Sequence, residues 1–426
     1  MKVLILNCGS SSIKYQLRDP RKDETIARGT IAKIGEGNSY IEYEAGQIKT
    51  KKEAKVLNHS QGLALVIRSL LDEKIGVIRE PSEISAVGHR VVHGGSTFTE
   101  PALITEEVIR RIRECIPLAP LHNPANLAGI MDAKKLLPNV PHVAVFDTAF
   151  HQTMPQEAYM YAVPREFYER YRVRKYGFHG TSCRYVSRRA AEILGETPDQ
   201  LKVIVCHLGN GVTLNAVREG KSVDTSMGLT PLEGLIMGTR CGDIDPGVIF
   251  FLQRRAGLSV DQVDEVLNKK SGLLGISGVS NDMREVMEGA ERGNERCKLA
   301  LEMYAYRVRK YIGAYAAAMG GIDALVFTAG IGENSPLMRS MICRNLNFLG
   351  IKLDEEVNSE TIRKEKVISS TESEVRVLVI PTDEERIIAL DTIETAKRAS
   401  AIRGSVNKTK HAVHARRAGR CSHVGK

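Results

Sequence analysis

Two arginines stand in glycine-rich surroundings that suit the binding of an anion. Arg90 and Arg240 each have a glycine within four residues on both sides. A guanidinium group stays charged at neutral pH and presents a planar fork of donors to carboxylate or phosphoryl oxygens. Glycine allows the backbone to approach a ligand closely. Both segments are therefore candidate anion sites, although a surface salt bridge is the alternative for either arginine taken singly.

A carboxylate and an imidazole are further candidates for chemistry. Asp147 directly follows the apolar run 142–146, which is predicted as a strand. A carboxylate at the end of a strand can hold Mg²⁺ or orient an acid. His179 precedes a glycine, but a lone histidine is more often structural. His89 and His93 do not predict zinc, because the valines and glycines around them favour a strand entering a loop, not a helix.

Three short apolar runs each end in a glycine-rich polar turn. The runs and their turns are residues 3–6 before 7–12, 203–206 before 207–211, and 325–327 before 328–334. Each pattern predicts a buried strand that opens into a loop able to approach a ligand closely. A plain turn would explain any one of them, but the three together predict nucleotide binding.

The first of these turns carries the donors that a phosphate needs. Asn7, Ser10 and Ser12 supply neutral donors, and Lys14 supplies a point charge. The turn is not a Walker loop, because Gly-Lys-Ser/Thr is absent and a strand is predicted to follow.

The elements around these turns predict an α/β protein. After the first two turns, residues 13–17 and 212–217 form second extended stretches, so each pair predicts a β-hairpin. Its recurrence about 200 residues further on predicts a duplicated domain. Helices are predicted over residues 301–319, ended by Gly320, and over residues 384–399. Mixed strands and helices indicate the α/β class.

Length and charge bound the organisation of the chain. It has 426 residues, too many for one hydrophobic core, so two domains are expected. The formal net charge is +9, but residues 403–426 contain seven Lys or Arg and no Asp or Glu. The nearly neutral remainder argues against a nucleic-acid partner. The tail is predicted to be disordered or an appended, non-native segment.

Cysteine usage and hydropathy predict the compartment. The eight cysteines include no Cys-x-x-Cys pair, which argues against a thiolate zinc site. No apolar run is long enough for a signal peptide or a membrane span. The sequence therefore predicts a cytoplasmic protein with free thiols and no membrane partner.

Eight ordered segments carry a resemblance to a known family. They are residues 4–14, 88–95, 145–151, 176–182, 207–211, 237–243, 277–284 and 330–334. With these segments the chain resembles the acetate kinase (acetokinase) family, in the superfamily of sugar kinases, actin and heat-shock chaperone ATPases. The resemblance runs from residue 1 to about residue 400, and the tail beyond Arg403 has no family counterpart.

The resemblance implies a two-lobed fold. It consists of two duplicated ribonuclease-H-like (actin-like ATPase) domains with an interdomain cleft. Residues 1–149 and 386–402 would form the N-terminal, acid-side lobe, which a C-terminal helix closes. Residues 150–385 would form the nucleotide-binding lobe, and 403–426 the basic tail. The family is homodimeric, so a homodimer is expected.

The reaction that the resemblance implies is reversible phosphoryl transfer between ATP and acetate, giving acetyl phosphate and ADP by direct in-line transfer. Mg²⁺ would be the cofactor, with Mn²⁺ as a substitute. A small carboxylic acid, with a pKa of roughly 4–5, is already ionised at neutral pH. The site must therefore supply positive charge and alignment more than proton transfer.

The family's site residues transfer to matching positions of this chain. The catalytic set is Arg90, Asp147, His179 and Arg240, and the apolar pocket around the substrate methyl group is Val92, Leu121, Phe178 and Pro231. The nucleotide- and phosphate-binding set is Asn7, Ser10, Ser12, Lys14, His207, Gly209, Asn210, Gly211, Asp282, Met283, Arg284, Gly330, Ile331, Gly332 and Asn334. Within it, Asn7, Asn210 and Gly211 would contact the phosphates, whereas Asp282, Arg284, Gly330 and Asn334 match the family's adenosine contacts. The metal-associated residues are Asn7 and Glu384, and neighbouring Glu385 is an alternative to Glu384.

Several alternatives stay open at this level. A propionate or butyrate kinase of the same family would carry the same motifs. A non-catalytic ATP switch of the actin or chaperone type would bind ATP but has no use for Arg90 and Arg240. Nucleic-acid binding through the tail is a third alternative. For Asp282 and Arg284, capping of a helix start is the structural alternative.

Overall fold

The computed structural model describes residues 1–401 of the chain, and the predicted basic tail 403–426 lies outside the described residues. The strands are β1 (Lys2–Cys8), β2 (Ser12–Asp19), β3 (Glu24–Ala32), β4 (Tyr40–Ala45), β5 (Ile48–Glu53), β6 (Ile84–Val91), β7 (Ala102–Leu103), β8 (His142–Phe146), β9 (Lys202–Leu208), β10 (Val212–Arg218), β11 (Lys221–Thr225), β12 (Ala324–Thr328), β13 (Lys366–Val367) and β14 (Arg376–Val379).

Helices alternate with these strands. They are α1 (His59–Leu71), α2 (Glu106–Glu114), α3 (Asn123–Leu136), α4 (Gln156–Tyr159), α5 (Arg165–Tyr171), α6 (Gly180–Leu194), α7 (Gly247–Ala256), α8 (Val260–Lys269), α9 (Gly272–Ser277), α10 (Met283–Glu291), α11 (Glu295–Met319), α12 (Ala329–Asn334), α13 (Pro336–Cys343), α14 (Glu355–Glu360) and α15 (384–401). The predicted α/β class is confirmed. No helix within residues 1–401 combines the length and apolar character that crossing a bilayer requires.

The chain divides into two compact units. Unit 1 contains Met1–Gly94, Glu100–Phe146 and the segment that begins at Glu385, and unit 2 contains Gly95–Thr99 and Asp147–Glu384. Each unit has its own sheet. The roles of the two lobes stay predictions.

The two sheets repeat one topology. Their strand orders are β5-β4-β3-β2-β1-β6-β8-β7 in unit 1 and β11-β10-β9-β12-β14-β13 in unit 2. In unit 1, β1 is antiparallel to β2 and parallel to β6, and β6 is parallel to β8. In unit 2, β9, β10, β12 and β14 pair in the same senses. Both predicted hairpins are confirmed, and the shared central strands support the predicted duplication.

The central strands of unit 1 are covered on both faces. Leu4 and Leu6 of β1 belong to a core that includes Val66 of α1 and Ala133 of α3. Because successive side chains of a strand point to opposite faces, the intervening residues of β1 form a second core on the other face. Burial on both faces explains why β1 is almost continuously apolar.

The second face of this sheet is covered by α15. Val3 and Ile5 of β1 pack with Ile388 and Ile393 of α15. The last described helix of the chain therefore completes the core of the unit that contains the first strand. Its start at residue 384 agrees with the helix predicted from the apolar spacing.

Gly88 of β6 lies where α15 approaches the sheet most closely. A Cβ at this position would collide with Thr392 Oγ1 and come within 2.8 Å of Ile388 Cγ2. We expect Gly88→Ala to lower the free energy of unfolding by about 1–3 kcal/mol, because overpacking displaces the helix. Urea unfolding checks this. Gly37→Ala is the matched control, since a Cβ on Gly37 meets nothing within 4 Å. Equal midpoints for both variants would contradict the close contact.

In unit 2, helix α6, which begins directly after His179, packs on the sheet. Val186 and Ala190 of α6 share a core with Val205 of β9, Val326 of β12 and Leu378 of β14. This packing places the first turn of α6 beside the carboxyl ends of the parallel strands. Open α/β sheets bind ligands at such strand ends.

One predicted loop is a helix. The turn after β12 was expected to be a loop, but α12 begins directly after the strand, and its first residue, Ala329, has φ +62°. The glycines that suggested a loop lie inside this helix at Gly330 and Gly332. In contrast, α11 ends as predicted, with Gly320 in the left-handed region at φ +65°.

Candidate functional site

A pocket of about 650 Å³ in unit 2 collects most of the predicted nucleotide residues. The predicted residues that line it are Gly209, Asn210, Asp282, Met283, Arg284, Gly330, Ile331 and Asn334. The sequence analysis missed Asn281, Met287, Glu288, Glu291, Ser335 and Arg363. A volume of this size is typical of a small-molecule site.

Some of the missed pocket residues could have been predicted from a pattern in the sequence. Met283, Met287 and Glu291 recur at intervals of four residues, which places them on one face of α10. Recognising that helix from its start would have extended the predicted pocket along it. Arg363 had no such signal, because it is distant in sequence from every predicted segment.

The pocket is built from two helix starts and one hairpin turn. Asn281, just before α10, donates from Nδ2 to Asn210 Oδ1 at 3.2 Å, and the amide of Gly238 donates to the carbonyl of Asn210 at 3.0 Å. A Cβ on Gly209 would lie 3.8 Å from the Cβ of Ala329, the first residue of α12. The β9–β10 turn therefore adjoins the beginnings of both helices.

Asp282 caps the start of α10, and both Asp282 and Arg284 line the pocket. The carboxylate of Asp282 accepts from the amide of Arg284 at 2.9 Å and from Arg284 Nε at 3.0 Å. This hydrogen bonding holds the pKa of Asp282 below its usual range. Capping of the helix start, the structural alternative for these residues, is thus observed. It does not exclude a role in binding, because both residues still line the pocket.

Next to the pocket, an imidazole pair meets an arginine. The rings of His179 and His207 stack with centroids 4.2 Å apart, and His179 Nδ1 hydrogen-bonds to Thr213 Oγ1 at 2.9 Å. A Cβ on Gly211 would lie 3.3 Å from His179 Cε1 and 3.6 Å from Arg240 Nη1. Three predicted site residues therefore converge at the β9–β10 turn.

His179 holds a backbone conformation that is unusual for its type. Its φ is +57°, at the N-cap of α6. A non-glycine residue in this region is uncommon and is found most often where the surroundings impose it, frequently at functional sites. Burial lowers the pKa of Arg240, the neighbouring cation, from its usual value, as expected for a charge withdrawn from water.

Ser182 connects the histidine pair to the segment that carries Glu384. Its hydroxyl hydrogen-bonds to His207 Nδ1 at 2.9 Å and to Thr382 Oγ1 at 2.8 Å. The amide of Thr382 donates to Glu333 Oε1 at 3.1 Å. This chain of contacts relates the end of β9 to the residues just before α15.

Two predicted carboxylates, Asp147 and Glu384, raise the pKa of the same buried thiol. Asp147 is buried directly after β8, and its carbonyl accepts from the amide of Gly180 at 2.9 Å. Burial, followed by the negative charges of Glu384 and Asp147, raises the pKa of the Cys183 thiol well above its usual range. Both carboxylates therefore lie near Cys183 of α6, and carboxylate oxygens are ligands that hard divalent cations prefer.

His151 supports the backbone before His179, and the sequence analysis did not single it out. Its Nε2–H donates to the carbonyl of Phe178 at 2.9 Å, so its Nδ1 accepts from Ser222 Oγ at 2.9 Å. Asn215 Nδ2 in turn donates to the same hydroxyl at 2.7 Å. This network fixes the neutral tautomer of the ring and the position of Phe178.

We expect the neutral ring of His151 to make stability depend on pH. Burial lowers its pKa from 6.5 to about 4. Between these values the unfolded chain binds a proton that the folded chain does not. This contribution to stability is therefore complete above pH 6.5 and is lost as pH falls, by up to about 3 kcal/mol. Urea unfolding near pH 7 and near pH 5 should show a smaller acid loss for His151→Gln than for the parent; equal losses would contradict this.

Unit 1 positions its predicted residues around the end of β1. Asn7 and Lys14 are partners across the β1–β2 hairpin. The amide of Gly9 donates to the carbonyl of Ser12 at 2.8 Å, which closes the turn that contains Ser10. Lys14 and Ser10 are exposed. The phosphate-type donors of this turn are therefore presented together at one end of the sheet.

Two buried asparagines of α3, which the sequence analysis missed, hold the segment after Arg90. Asn126 Nδ2 donates to the carbonyl of Cys8 at 2.7 Å, and its Oδ1 accepts from the amide of Val92 at 3.0 Å. Asn123 bonds in the same way to the amide and the carbonyl of His93. Arg90 on β6 is thus followed by a segment whose backbone is fixed by side chains.

The four predicted methyl-pocket residues differ in burial. Val92 and Phe178 are buried, Pro231 is partly buried, and Leu121 is 58% exposed. Val92 and Leu121 belong to unit 1, whereas Phe178 and Pro231 belong to unit 2. Arg90 and Asn7 also belong to unit 1, so the predicted site residues form one set in each unit.

The histidines considered for zinc lie on and after a strand, as expected. His89 is on β6, and its Nε2 hydrogen-bonds to His142 Nδ1 of β8 at 2.9 Å. Burial lowers the pKa of His89 well below its usual value. The pair formed by His89 and His142 is buried in the core of unit 1.

Comparison with known proteins identifies the family. The profile of the acetokinase family matches residues 2–390. An acetate kinase from Thermotoga maritima is 57% identical over 400 residues, covering 93% of this chain and 99% of the relative. An acetate kinase from Halothermothrix orenii is 57% identical over 394 residues, covering 92% and 98%.

Solved structures agree with this match. The crystal structure of Porphyromonas gingivalis acetate kinase has a TM-score of 0.89 at 51% identity, covering 92% of this chain and 99% of that one. A propionate kinase from Francisella tularensis has a TM-score of 0.87 at 44% identity, with the same coverage. The predicted resemblance, fold class and enzyme class, a phosphotransferase, are confirmed. The chain belongs to the acetokinase family.

Proposed function

We propose that this chain is a kinase that moves a phosphoryl group reversibly between ATP and acetate, forming acetyl phosphate and ADP. The observation that carries the proposal is the convergence of Arg240, His179 and the backbone of Gly211 beside a pocket lined by the predicted nucleotide residues. ATP and ADP would occupy that pocket, with their phosphates at the β9–β10 turn. Acetate or acetyl phosphate would be the second substrate.

The chemistry asks for charge neutralisation. Acetate is an anion at neutral pH and must approach the anionic γ-phosphate of ATP. Arg240 would stabilise the charge on the transferring phosphoryl oxygens, and His179 would donate a hydrogen bond to them. Arg90 would bind the carboxylate through its planar fork. A general base is not needed, because the nucleophile is already ionised.

A divalent cation, Mg²⁺ with Mn²⁺ as a substitute, is part of the proposal. Asp147 and Glu384 would hold it together with Asn7 and nucleotide oxygens, which suits an ion that binds few carboxylates. When bound, the ion neutralises charge on the phosphates. Glu385 is the neighbouring alternative to Glu384.

Acetate is the proposed acid, and propionate is the second candidate. Val92, Leu121, Phe178 and Pro231 would surround the methyl group. An apolar pocket separates acids that differ by one methylene by only about 1–3 kcal/mol. The similarity to the propionate kinase from Francisella tularensis is the observation that favours testing the longer acid.

Trapping of the acyl phosphate tests the function. The purified chain should convert ATP and acetate into a hydroxylamine-trappable product only when Mg²⁺ is present, and rates with propionate and butyrate rank the acids. ATP binding without trappable product from any of the three acids would favour the non-catalytic switch and refute the kinase. Deleting residues 404–426 should leave the activity intact, which separates it from any role of the tail.

We also propose a homodimer and a cytoplasmic location. None of the residues of α7 is buried, and Phe250 and Phe251 are 54% and 62% exposed. A helix that short needs packing to be stable, which a second copy would supply. The cysteines of residues 1–401 are free thiols, as suits a reducing compartment.

Charge on α7 should weaken the dimer. We expect Phe250→Asp combined with Phe251→Asp to shift the protein toward the monomer in sedimentation velocity, because burying a carboxylate at an interface is costly. Phe348→Asp is the matched control, since Phe348 is 78% exposed and lies outside α7. An unchanged sedimentation coefficient for the double variant would place the interface elsewhere.

A further inference from the structure

A buried arginine lies behind one wall of the pocket. Arg339 of α13 is completely buried, and within residues 1–401 it forms no ion pair with a carboxylate. Its donors go instead to Asn358 Oδ1 at 2.8 Å and to the carbonyls of Gly332, Asn358 and Thr361 at 2.8, 2.9 and 2.7 Å. A buried charge satisfied in this way rigidly joins the segments that supply the acceptors.

The two joined segments meet again at the pocket. Gly332 lies in α12, and Thr361 follows α14 and leads to Arg363. The amide of Arg363 donates to the carbonyl of Glu333 at 3.2 Å, and its Nε donates to Asn334 Oδ1 at 2.9 Å. Arg363 is exposed, lines the pocket, and has φ +51°. The hydrogen bonds from Arg339 to Gly332, Asn358 and Thr361, called here the Arg339 clamp, therefore fix the position of Arg363.

Arg363 stands at the end of the pocket away from the phosphate turn. Gly209 adjoins the first residue of α12, whereas Arg363 bonds to its last residue, roughly 7 Å further along the helix axis. Glu288 and Glu291, in the later turns of α10, line the pocket as well. Two carboxylates at that end disfavour phosphate and leave it suited to a neutral nucleoside.

We propose that Arg363 is a further nucleotide-binding residue, which packs its guanidinium plane against the purine base, and that Arg339 is its positioning residue. The hydrogen bond from Nε to Asn334 fixes the guanidinium plane, and a fixed plane is what stacking on an aromatic base requires. This inference rests on the proposed function, since it assumes that the pocket takes ATP and ADP.

Calorimetric titration with ADP and with adenosine tests the role of Arg363. Arg363→Ala should weaken both ligands by the same factor, about 2- to 30-fold. Lys364→Ala, which removes the neighbouring exposed cation, should leave both affinities unchanged. Unchanged affinities for Arg363→Ala would overturn the inference, and so would a loss confined to ADP, because that result places Arg363 on the phosphates.

A double-mutant cycle tests the role of Arg339. Arg339→Lys removes the planar fork, so it should weaken ADP binding in the parent but add little in the Arg363→Ala background. Additive losses would show that Arg339 does not act through Arg363. Should Arg339→Lys fail to fold, Asn358→Ala removes the side-chain acceptor of the clamp and makes the same prediction. Failure of the parent protein to bind ADP would refute the proposed function itself, a result distinct from equal binding by the variants.

Discussion

Replacement of Arg240 by alanine is expected to lower kcat by roughly 10³–10⁵, the range for arginines that stabilise a transferring phosphoryl group. The guanidinium lies beside Gly211 and His179, next to the end of the pocket that is proposed to take the phosphates, in a partly desolvated setting where charge acts strongly. The steady-state rate of acyl phosphate formation at saturating ATP and acetate measures this. Because Arg240 is assigned to the transition state, ADP affinity should change far less than kcat.

Conservative and remote variants sharpen this test. Arg240→Lys keeps the charge but loses the planar fork, so it should recover only a small part of the activity. Arg376→Ala, an exposed arginine on β14, is the matched control for removal of a cation. A kcat for Arg240→Ala equal to that of the parent would remove Arg240 from the mechanism.

Replacement of Asp147 by asparagine is expected to weaken metal binding at the site. The change keeps the volume of the side chain but removes one of the two carboxylates that lie near Cys183. Activity at limiting Mg²⁺ should fall by at least about 10- to 100-fold, the usual cost of disturbing a metal site, and should recover in part as Mg²⁺ is raised. Titration of the rate with Mg²⁺ measures this.

The neighbouring glutamates provide the matched comparison. Glu384→Gln should behave like Asp147→Asn, whereas Glu385→Gln should leave the Mg²⁺ dependence unchanged. The opposite order would assign Glu385 to the ion. If the rate of Asp147→Asn falls but its Mg²⁺ dependence is unchanged, Asp147 orients the acid and does not hold the metal.

Local patterns in the sequence were sufficient for the strands that carry the site. The apolar runs at the starts of β1 and β9 and the glycines after them predicted both hairpins, because a strand buried on both faces is almost continuously apolar. The same pattern misled at α12. There the glycines lie in a helix that directly follows β12. The prediction was wrong because a segment this short shows no periodicity that distinguishes a loop from a helical turn.

The residues that build the candidate site were only partly accessible from the sequence. Asp282 and Asn334 lie in motifs that a resemblance can transfer. Asn126 and Arg363 lie in no such motif and owe their positions to tertiary contacts, with the backbone of Cys8 and with Asn334 respectively. Pairings between distant segments depend on the packed fold, which leaves no local signature in the residues themselves.

The position of α15 has a consequence for how the chain matures during synthesis. Val3 and Ile5 are synthesised about 385 residues before their covering residues, Ile388 and Ile393. Because synthesis proceeds at about 5–20 residues per second, this apolar face of the sheet stays exposed for on the order of tens of seconds before α15 can cover it. Unit 2 is nearly continuous in sequence and can close its core first. A chaperone would therefore be most useful while unit 1 lacks α15, because the apolar face of its sheet is exposed during that time.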